Sequence, residues 1–198
     1  MKTKINLLLG AVLSQLVTVR LTHNAAAQTR VAFQGPVTDP KTHKTSYQVC
    51  SMNGDGSGVT VLTRWGGAFP SWSQGQGYLA FHRGGLIYIM DAKGEIKGGR
   101  TFAVVAASGS GHDWSPDNTA IVYTGTDAVG NGLWHVSVDP ATGAVGTPVL
   151  LRAGACYAPK CSPDGTKVAY YSGGIVRVLD LTTSAEISFP WSSISPVW

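Results

Sequence analysis

One short motif recurs along this chain at nearly regular spacing, and that repetition limits the possible folds more than any other feature. The motif is a turn followed by an apolar run, and its three copies span 70–81, 112–123 and 159–170. The anchor positions of the copies, together with the start of a fourth, are 42, 47 and 37 residues apart, at Trp72, Trp114, Cys161 and Trp198. A period of this length is typical of solenoids, propellers and repeat arrays.

Each copy has a partner segment that also favours strands. The partner segments are rich in β-branched and aromatic residues, end in Asp or Asn with turn residues, and span 47–56, 87–94, 133–140 and 175–180. The turn in the motif is clearest in Ser162-Pro163-Asp164-Gly165. Proline presets the backbone there, aspartate bonds back to it, and glycine accepts a positive φ. Copy one has Gln74-Gly75-Gln76 and copy two has Asn118 at the glycine position, which weakens single turns and leaves the period intact.

One repeat predicts four short antiparallel strands in about 42 residues, which is one blade of a β-propeller. The anchor tryptophan offers a large flat surface for packing between neighbouring sheets. Outside the first 27 residues, no stretch of 11 residues keeps the helical period of 3.6, so an all-β fold is predicted. The predicted blades are anchored near 31–63, 70–105, 112–151 and 159–189, and the next one starts at 196.

These segments resemble the TolB-like propeller repeats, also called PD40 or WD40-like β-propeller repeats. The resemblance lies in the Trp-Ser-Pro-Asp turn at 114–117, the Leu-Ala-Phe run at 79–81 and the Ile-Tyr-Ile-Met-Asp run at 87–91. It covers about residues 30–198 and departs from the repeat where Cys161 replaces the anchor tryptophan. The resemblance is specific for the fold and carries little information about function, because propellers of this kind occur in proteins with many different functions.

The number of blades follows from length. The resemblance implies six blades, which need about 250 residues, whereas residues 28–198 have room for about four. We therefore expect an open fragment of a six-bladed propeller. The alternative is a closed four-bladed ring, in which 196–198 complete the first blade beside 31–33. Closure would remove the exposed sheet edges, which is its physical attraction.

Residues 1–27 have the pattern of an export signal. Lys2 and Lys4 precede a mostly apolar run at 5–19, and Ala25-Ala26-Ala27 supplies a small-residue cleavage site before Gln28. The run is shorter than the ~20 residues of a membrane span, although an uncleaved anchor or a disordered leader is the alternative. The pattern predicts a periplasmic or secreted protein of bacterial type, with no membrane span after cleavage.

The overall charge of +4 does not indicate a nucleic-acid partner. Three of the 15 basic residues lie in the leader, which has no acid, so the rest of the chain has 12 basic and 11 acidic residues. Cys156 and Cys161 could form a disulfide or remain two free thiols, because spacing alone does not settle the geometry. No set of Cys and His has zinc-ligand spacing. We find no Gly-x-Ser-x-Gly elbow, and no cofactor is expected.

These observations favour a non-enzymatic periplasmic propeller that binds proteins. TolB itself is part of the Tol–Pal envelope system and contacts partner proteins, so the resemblance implies an interaction platform, possible partners being cell-envelope proteins. The alternative is the truncated, non-catalytic propeller of an exported prolyl-oligopeptidase-type serine peptidase. A third interpretation, a lyase-type propeller enzyme, lacks clustered acids or metal ligands in the sequence.

The candidate binding residues come from the first strand of each blade, which lines the central channel of a propeller. Strand alternation sends the anchor side chain between blades and its preceding neighbour to the other side. This predicts a mostly polar set of side chains near the axis, which is Ser71, His112, Asp113 and Lys160, together with the apolar Val197. His82 and Arg83, just after the second strand, are weaker candidates. The alternative is that these residues are solvated strand ends without a role.

Overall fold

The protein is built from four antiparallel β-sheets in chain order, as the computed structural model shows for residues 29–106, 111–127, 130–190 and 196–198. The predicted signal segment 1–27 lies outside these described residues. Within them, helical structure is confined to two short 3₁₀ turns, at Gln74–Gln76 and Glu95–Lys97. No helix in the described part is long and apolar enough to cross a membrane. The all-β propeller architecture predicted from the repeats is confirmed.

The first two sheets are blades 1 and 2. Blade 1 has three strands, β1 (Arg30–Thr38), β2 (Thr45–Asn53) and β3 (Thr60–Val61). Blade 2 has four, β4 (Ala68–Trp72), β5 (Tyr78–Arg83), β6 (Leu86–Asp91) and β7 (Thr101–Ala106). In both blades, strands that follow each other in sequence are neighbours in the sheet.

The other two sheets are blades 3 and 4. Blade 3 contains β8 (His112–Trp114), β9 (Ala120–Asp127), β10 (Gly130–Asp139), β11 (Ala144–Val145) and β12 (Val149–Ala153). Both β11 and β12 pair with β10, so the fourth strand of this blade is split. Blade 4 contains β13 (Tyr157–Cys161), β14 (Lys167–Ser172), β15 (Ile175–Asp180) and β16 (Glu186–Phe189). The first strand of blades 2, 3 and 4 is the one predicted to line the axis.

The blades pack face to face, and side-chain alternation along each strand supplies both interfaces. In β5, Leu79 and Phe81 pack with Val49 of blade 1, whereas Ala80, between them, packs with Ile121 of blade 3. Burying an apolar side chain of this size contributes about 1.5–3 kcal/mol. A sheet with two buried faces explains the near-continuous apolar runs in the sequence.

The predicted tight turn follows the inner strand of blades 2, 3 and 4. Gln76, Asn118 and Gly165 occupy the same turn position, with φ of 56°, 61° and 71°. Each donates its backbone N–H at 2.9 Å to the carbonyl of the serine three residues earlier. Two of the three turns therefore have a residue other than glycine at this position. The side-chain amide of Asn118 offsets the energetic cost of the left-handed backbone, because its Oδ1 accepts from Gln74 N at 2.7 Å and its Nδ2 donates to Gln74 O at 3.0 Å.

The blades form an open arc. Among the described residues, β1 pairs with β2 alone, and 196–198 pair with no strand. Trp198 instead lies against blade 4, where its Nε1 donates to the Lys160 carbonyl at 2.9 Å. The closed four-bladed ring is therefore not formed, and the open arrangement is the one observed.

Cys156 and Cys161 are free thiols, and so is Cys50, so the structure has no bridge between the first two. Cys156 is buried just before β13, and Cys161 ends that strand.

Candidate functional site

The inner strands of blades 2, 3 and 4 converge on one cavity of about 190 Å³. Equivalent positions of the repeat line it: 69–71 from blade 2, 111–112 from blade 3 and 158–160 from blade 4. Three of the predicted residues, Ser71, His112 and Lys160, are therefore brought together, although they are up to 89 residues apart in sequence. Convergence of repeat-equivalent residues is what an axial position in a propeller requires. We call this cavity the axial cavity.

Two of the lining strands are irregular at the same point of the repeat. The pairing of β4 with β5 shifts between Ala68 and Ser71, and that of β13 with β14 shifts between Tyr157 and Lys160. Inside these bulges, Phe69 and Ala158 have left-handed φ of 51° and 47°. Such a backbone costs about 1–3 kcal/mol at a non-glycine residue and is concentrated at functional sites. The sequence analysis missed both residues, although a proline inside a strand, as at 70 and 159, signals a bulge.

Blade 3 has a glycine where the other two blades carry the bulge. A Cβ built on Gly111 would lie 2.7 Å from Pro159 Cδ and 2.9 Å from Ala158 N. The absence of a side chain at Gly111 therefore lets the inner strands of blades 3 and 4 approach each other at the cavity wall.

His112 and His82 form a stacked pair of buried imidazoles beside the cavity. Their ring centroids are 5.0 Å apart at 28°, and Phe69 meets His82 edge-on at 5.8 Å. Burial, with His82 and Lys160 close by, lowers the pKa of His112 from 6.5 to about 3. The backbone of Ala80 favours the charged form without reaching hydrogen-bond geometry, and neither His112 nitrogen has a partner among the described residues. Burial also lowers the pKa of His82. Both imidazoles are therefore uncharged at neutral pH, and that of His112 forms part of the cavity wall.

Asp113 and Lys160 form an ion pair that joins blade 3 to blade 4. Lys160 Nζ lies 3.2 Å from Asp113 Oδ1, and the other carboxylate oxygen accepts the Cys161 backbone N–H at 3.0 Å. Burial and the nearby Asp113 carboxylate raise the pKa of the Cys161 thiol to about 12. Asp113 thus positions the start of the turn in blade 4, and Lys160 contributes the single cation of the axial cavity lining.

The predicted alternation along the inner strand is confirmed for the anchor tryptophan of blade 3. Trp114 is buried, and its Nε1 donates to the Ser71 carbonyl of blade 2 at 3.0 Å. Its predecessor Asp113 faces blade 4 and is not part of the axial cavity wall, where the alternation predicts it.

Two predicted residues lie elsewhere. Arg83 pairs with the buried Glu95 at 2.6 Å, and its guanidinium lies 4.8 Å from the ring centroids of Phe81 and Tyr88. It supports blade 2 and does not line the axial cavity. Val197 is 82% exposed and is also absent from the cavity wall.

A larger cleft of about 360 Å³ lies beside the exposed Trp65, between the hairpin of blade 1 and the Ile96 turn. It gathers no repeat-equivalent positions, so the axial cavity is the one that the propeller geometry builds. Across the described ranges, no group of three or more His, Cys, Asp or Glu side chains is placed to hold a metal ion.

Comparison with known proteins rests on structure alone. No protein-family model matches the sequence. No curated protein matches it either.

Solved structures of β-propellers are similar to the chain. TolB from Acinetobacter baumannii has a TM-score of 0.60 and 16% identity, over 81% of this chain and 42% of that one. A putative TolB from Agrobacterium tumefaciens has a TM-score of 0.56 and 21% identity, over 68% and 50% of the two chains. The β-propeller domain of the Trilobed protease from Pyrococcus furiosus, which has an open velcro topology, scores 0.54 at 12% identity, over 83% and 54%. This chain thus spans about half the length of the structures it resembles, and its fold is that of a TolB-like β-propeller.

Proposed function

We propose that the chain is a non-enzymatic, exported interaction module that binds a protein partner of the cell envelope at the mouth of the axial cavity. The observation that carries the proposal is the convergence of Ser71, His112 and Lys160 from three blades on one cavity. Propeller folds place their binding sites where such loops and inner strands meet, and a recessed cavity with a few polar groups is the default site for a ligand group.

The chemistry of the cavity suits recognition better than catalysis. Its one cation is held by Asp113, and its imidazoles are buried and uncharged. A general base needs a pKa near the working pH, and the pKa of His112, about 3, lies far below it. The ammonium of Lys160, with 36% of its side chain exposed, keeps donor capacity for an acceptor group of a partner.

The test is recovery of partners from an envelope extract by the purified chain and by the variant Asp113→Asn with Lys160→Met. This variant removes both charges and retains the approximate side-chain shapes, and circular dichroism checks that the fold is kept. Lys93→Met is the matched control, because Lys93 is exposed in a turn of blade 2 outside the cavity. We expect specific partners to be lost with the double variant and kept with the control. Equal recovery by all three proteins, with unchanged circular dichroism, would refute binding at the cavity.

A second candidate is the non-catalytic propeller of an exported serine peptidase. The likeness to the propeller domain of the Trilobed protease favours it. Genomic sequence downstream of the codon for Trp198 distinguishes the two. Further blades followed by a domain with a Gly-x-Ser-x-Gly elbow support the peptidase, and further blades followed by a stop codon support the interaction module.

A further inference from the structure

The charge in the wall of the axial cavity is positive. Lys160 supplies an ammonium, and no acidic side chain is among the described residues of the wall. The carboxylate of Asp113 lies outside the wall, and both of its oxygens are engaged, one by Lys160 Nζ and the other by the Cys161 backbone N–H. An ammonium has three donors, so the bond to Asp113 leaves Lys160 with donors for a group inside the cavity.

The other polar side chains of the wall also lack acceptors. His112 is 6% exposed, and neither of its nitrogens has a partner in the described part of the chain. A neutral imidazole has one N–H donor, and a buried donor without an acceptor is costly. The wall also holds the hydroxyl of Ser71, a further possible donor. Three blades therefore bring donors to one cavity, which favours an occupant rich in acceptors.

Size and charge narrow the class of occupant. The volume of about 190 Å³ corresponds to about six water molecules, which is room for the end of one side chain. An ionised carboxylate is purely an acceptor, with about four lone-pair sites and one negative charge. A phosphate group brings about two negative charges, against one ammonium that Asp113 already partly neutralises. An amide is neutral and gains nothing from the charge of Lys160. The carboxylate therefore fits best.

Aromatic side chains at the rim favour a protein as the carrier of this carboxylate. Phe69 lines the cavity and is nevertheless 54% exposed. Tyr157, which precedes the wall residue Ala158, is 50% exposed. Aromatic residues are enriched in protein interfaces and act there as anchors. A carboxylate at the centre and apolar contacts at the rim would both come from one segment of a partner.

We propose that the axial cavity takes the side-chain carboxylate of an acidic residue of the partner protein, bound by the ammonium of Lys160 with Ser71 and His112 as further donors. Lys160 then bridges Asp113 and the partner's carboxylate. The assignment of this carboxylate to a protein rests on the proposed function, whereas the acidic chemistry of the occupant goes beyond it.

Two small probes test the chemistry without a known partner. They are N-acetyl-glutamate N-methylamide and its glutamine counterpart, which differ only in the side-chain carboxylate. Binding is followed by NMR of the histidine imidazoles at matched ionic strength, because salt screens charges, and His112→Phe assigns the His112 signals. We expect the glutamate probe to shift the His112 signals and to bind at least about tenfold more tightly than the glutamine probe or inorganic phosphate.

Variants locate the charge that is responsible. Lys160→Met keeps the aliphatic stem and should remove the preference for the glutamate probe, whereas the exposed Lys93→Met should keep it. No binding of the glutamate probe to the wild type, equal binding of the glutamine probe or of phosphate, or a preference that survives Lys160→Met would each overturn the proposal. The comparison of probes on the wild type remains decisive if Lys160→Met does not fold.

The outcome is separable from that of the proposed function. If the variant Asp113→Asn with Lys160→Met loses partners from the extract but the wild type does not distinguish the two probes, the carboxylate proposal fails and the proposed function stands. If the wild type prefers the glutamate probe through Lys160 but every variant recovers the same partners, the proposed function fails. The assignment of the carboxylate to a protein then fails with it.

Discussion

Lowering the pH from about 7 to about 5 is expected to destabilise the fold through the buried imidazole of His112. The pKa of this group is 6.5 in the unfolded chain and about 3 in the folded one. Below pH 6.5 this imidazole is therefore protonated in the unfolded chain while it stays unprotonated in the folded chain. Stability is complete above the unfolded pKa and is lost as the pH falls from 6.5 toward 3.

The magnitude follows from the two pKa values. One unit of difference corresponds to ~1.36 kcal/mol, and at pH 5 the folded site stays unprotonated whereas the unfolded one is almost fully protonated. The loss between pH 7 and pH 5 is therefore about 2 kcal/mol. For a domain of this size it lowers Tm by about 4–8 °C. Hydrogen bonds lower the pKa of turn carboxylates, for example that of Asp164 to about 2 through Ser162 and Thr166. The stability that these carboxylates contribute is lost below about pH 4, outside this window.

Urea unfolding at pH 7 and pH 5 measures the effect on the wild type and on His112→Phe, which keeps a flat ring against His82 and removes the titration. From the higher to the lower pH, the free energy of unfolding should fall by about 2 kcal/mol more in the wild type than in the variant. His43→Asn is the control, because His43 is exposed and has a left-handed φ of 55° that Asn tolerates. An equal pH dependence in the wild type and His112→Phe would refute the reasoning.

Three further predictions concern residues beside the inner strands and in the turns that follow them. Gly111→Ala should lower the free energy of unfolding by about 1–3 kcal/mol, because the new Cβ would lie 2.7 Å from Pro159. Gly77→Ala is the control: nothing lies within 4 Å of its new Cβ, so the free energy of unfolding should change by less than about 0.5 kcal/mol. Cys161 should react with iodoacetamide far more slowly in the folded chain than in urea at about pH 8, because burial holds its pKa near 12; a disulfide-linked peptide joining it to Cys156 would contradict the observed free thiols. Asn118→Gly should lower stability by about 1 kcal/mol, because it keeps the turn conformation and loses the two bonds to Gln74; unchanged urea midpoints would show that this link between blades 2 and 3 contributes nothing.

The repeat period brings three of the predicted residues to the cavity, although it also named Asp113 and Val197, which are not part of the wall. Ser71, His112 and Lys160 share one position in the repeat or lie beside it, and a propeller brings such positions to its axis. The sequence was less informative for side chains after the motif. His82 and Arg83 are neighbours on β5, so they point to opposite faces, where one stacks on His112 and the other pairs with Glu95. Nothing in the sequence singles out Glu95 as the partner of Arg83.

The sequence by itself determined the class of fold, the number of sheets and the turn after each inner strand. These depend on local chemistry, on residues that favour strands and on turn positions where Asn118 and Gly165 accept a left-handed backbone. The tertiary structure decided whether the arc closes, which thiols pair and which indoles find a carbonyl. These depend on distances between segments that are far apart in sequence. Trp114 and Trp72 are the same residue in the same motif. The indole of Trp114 bonds to the inner strand of the preceding blade, whereas that of Trp72 has no hydrogen-bond partner and the described residues of blade 1 include no inner strand.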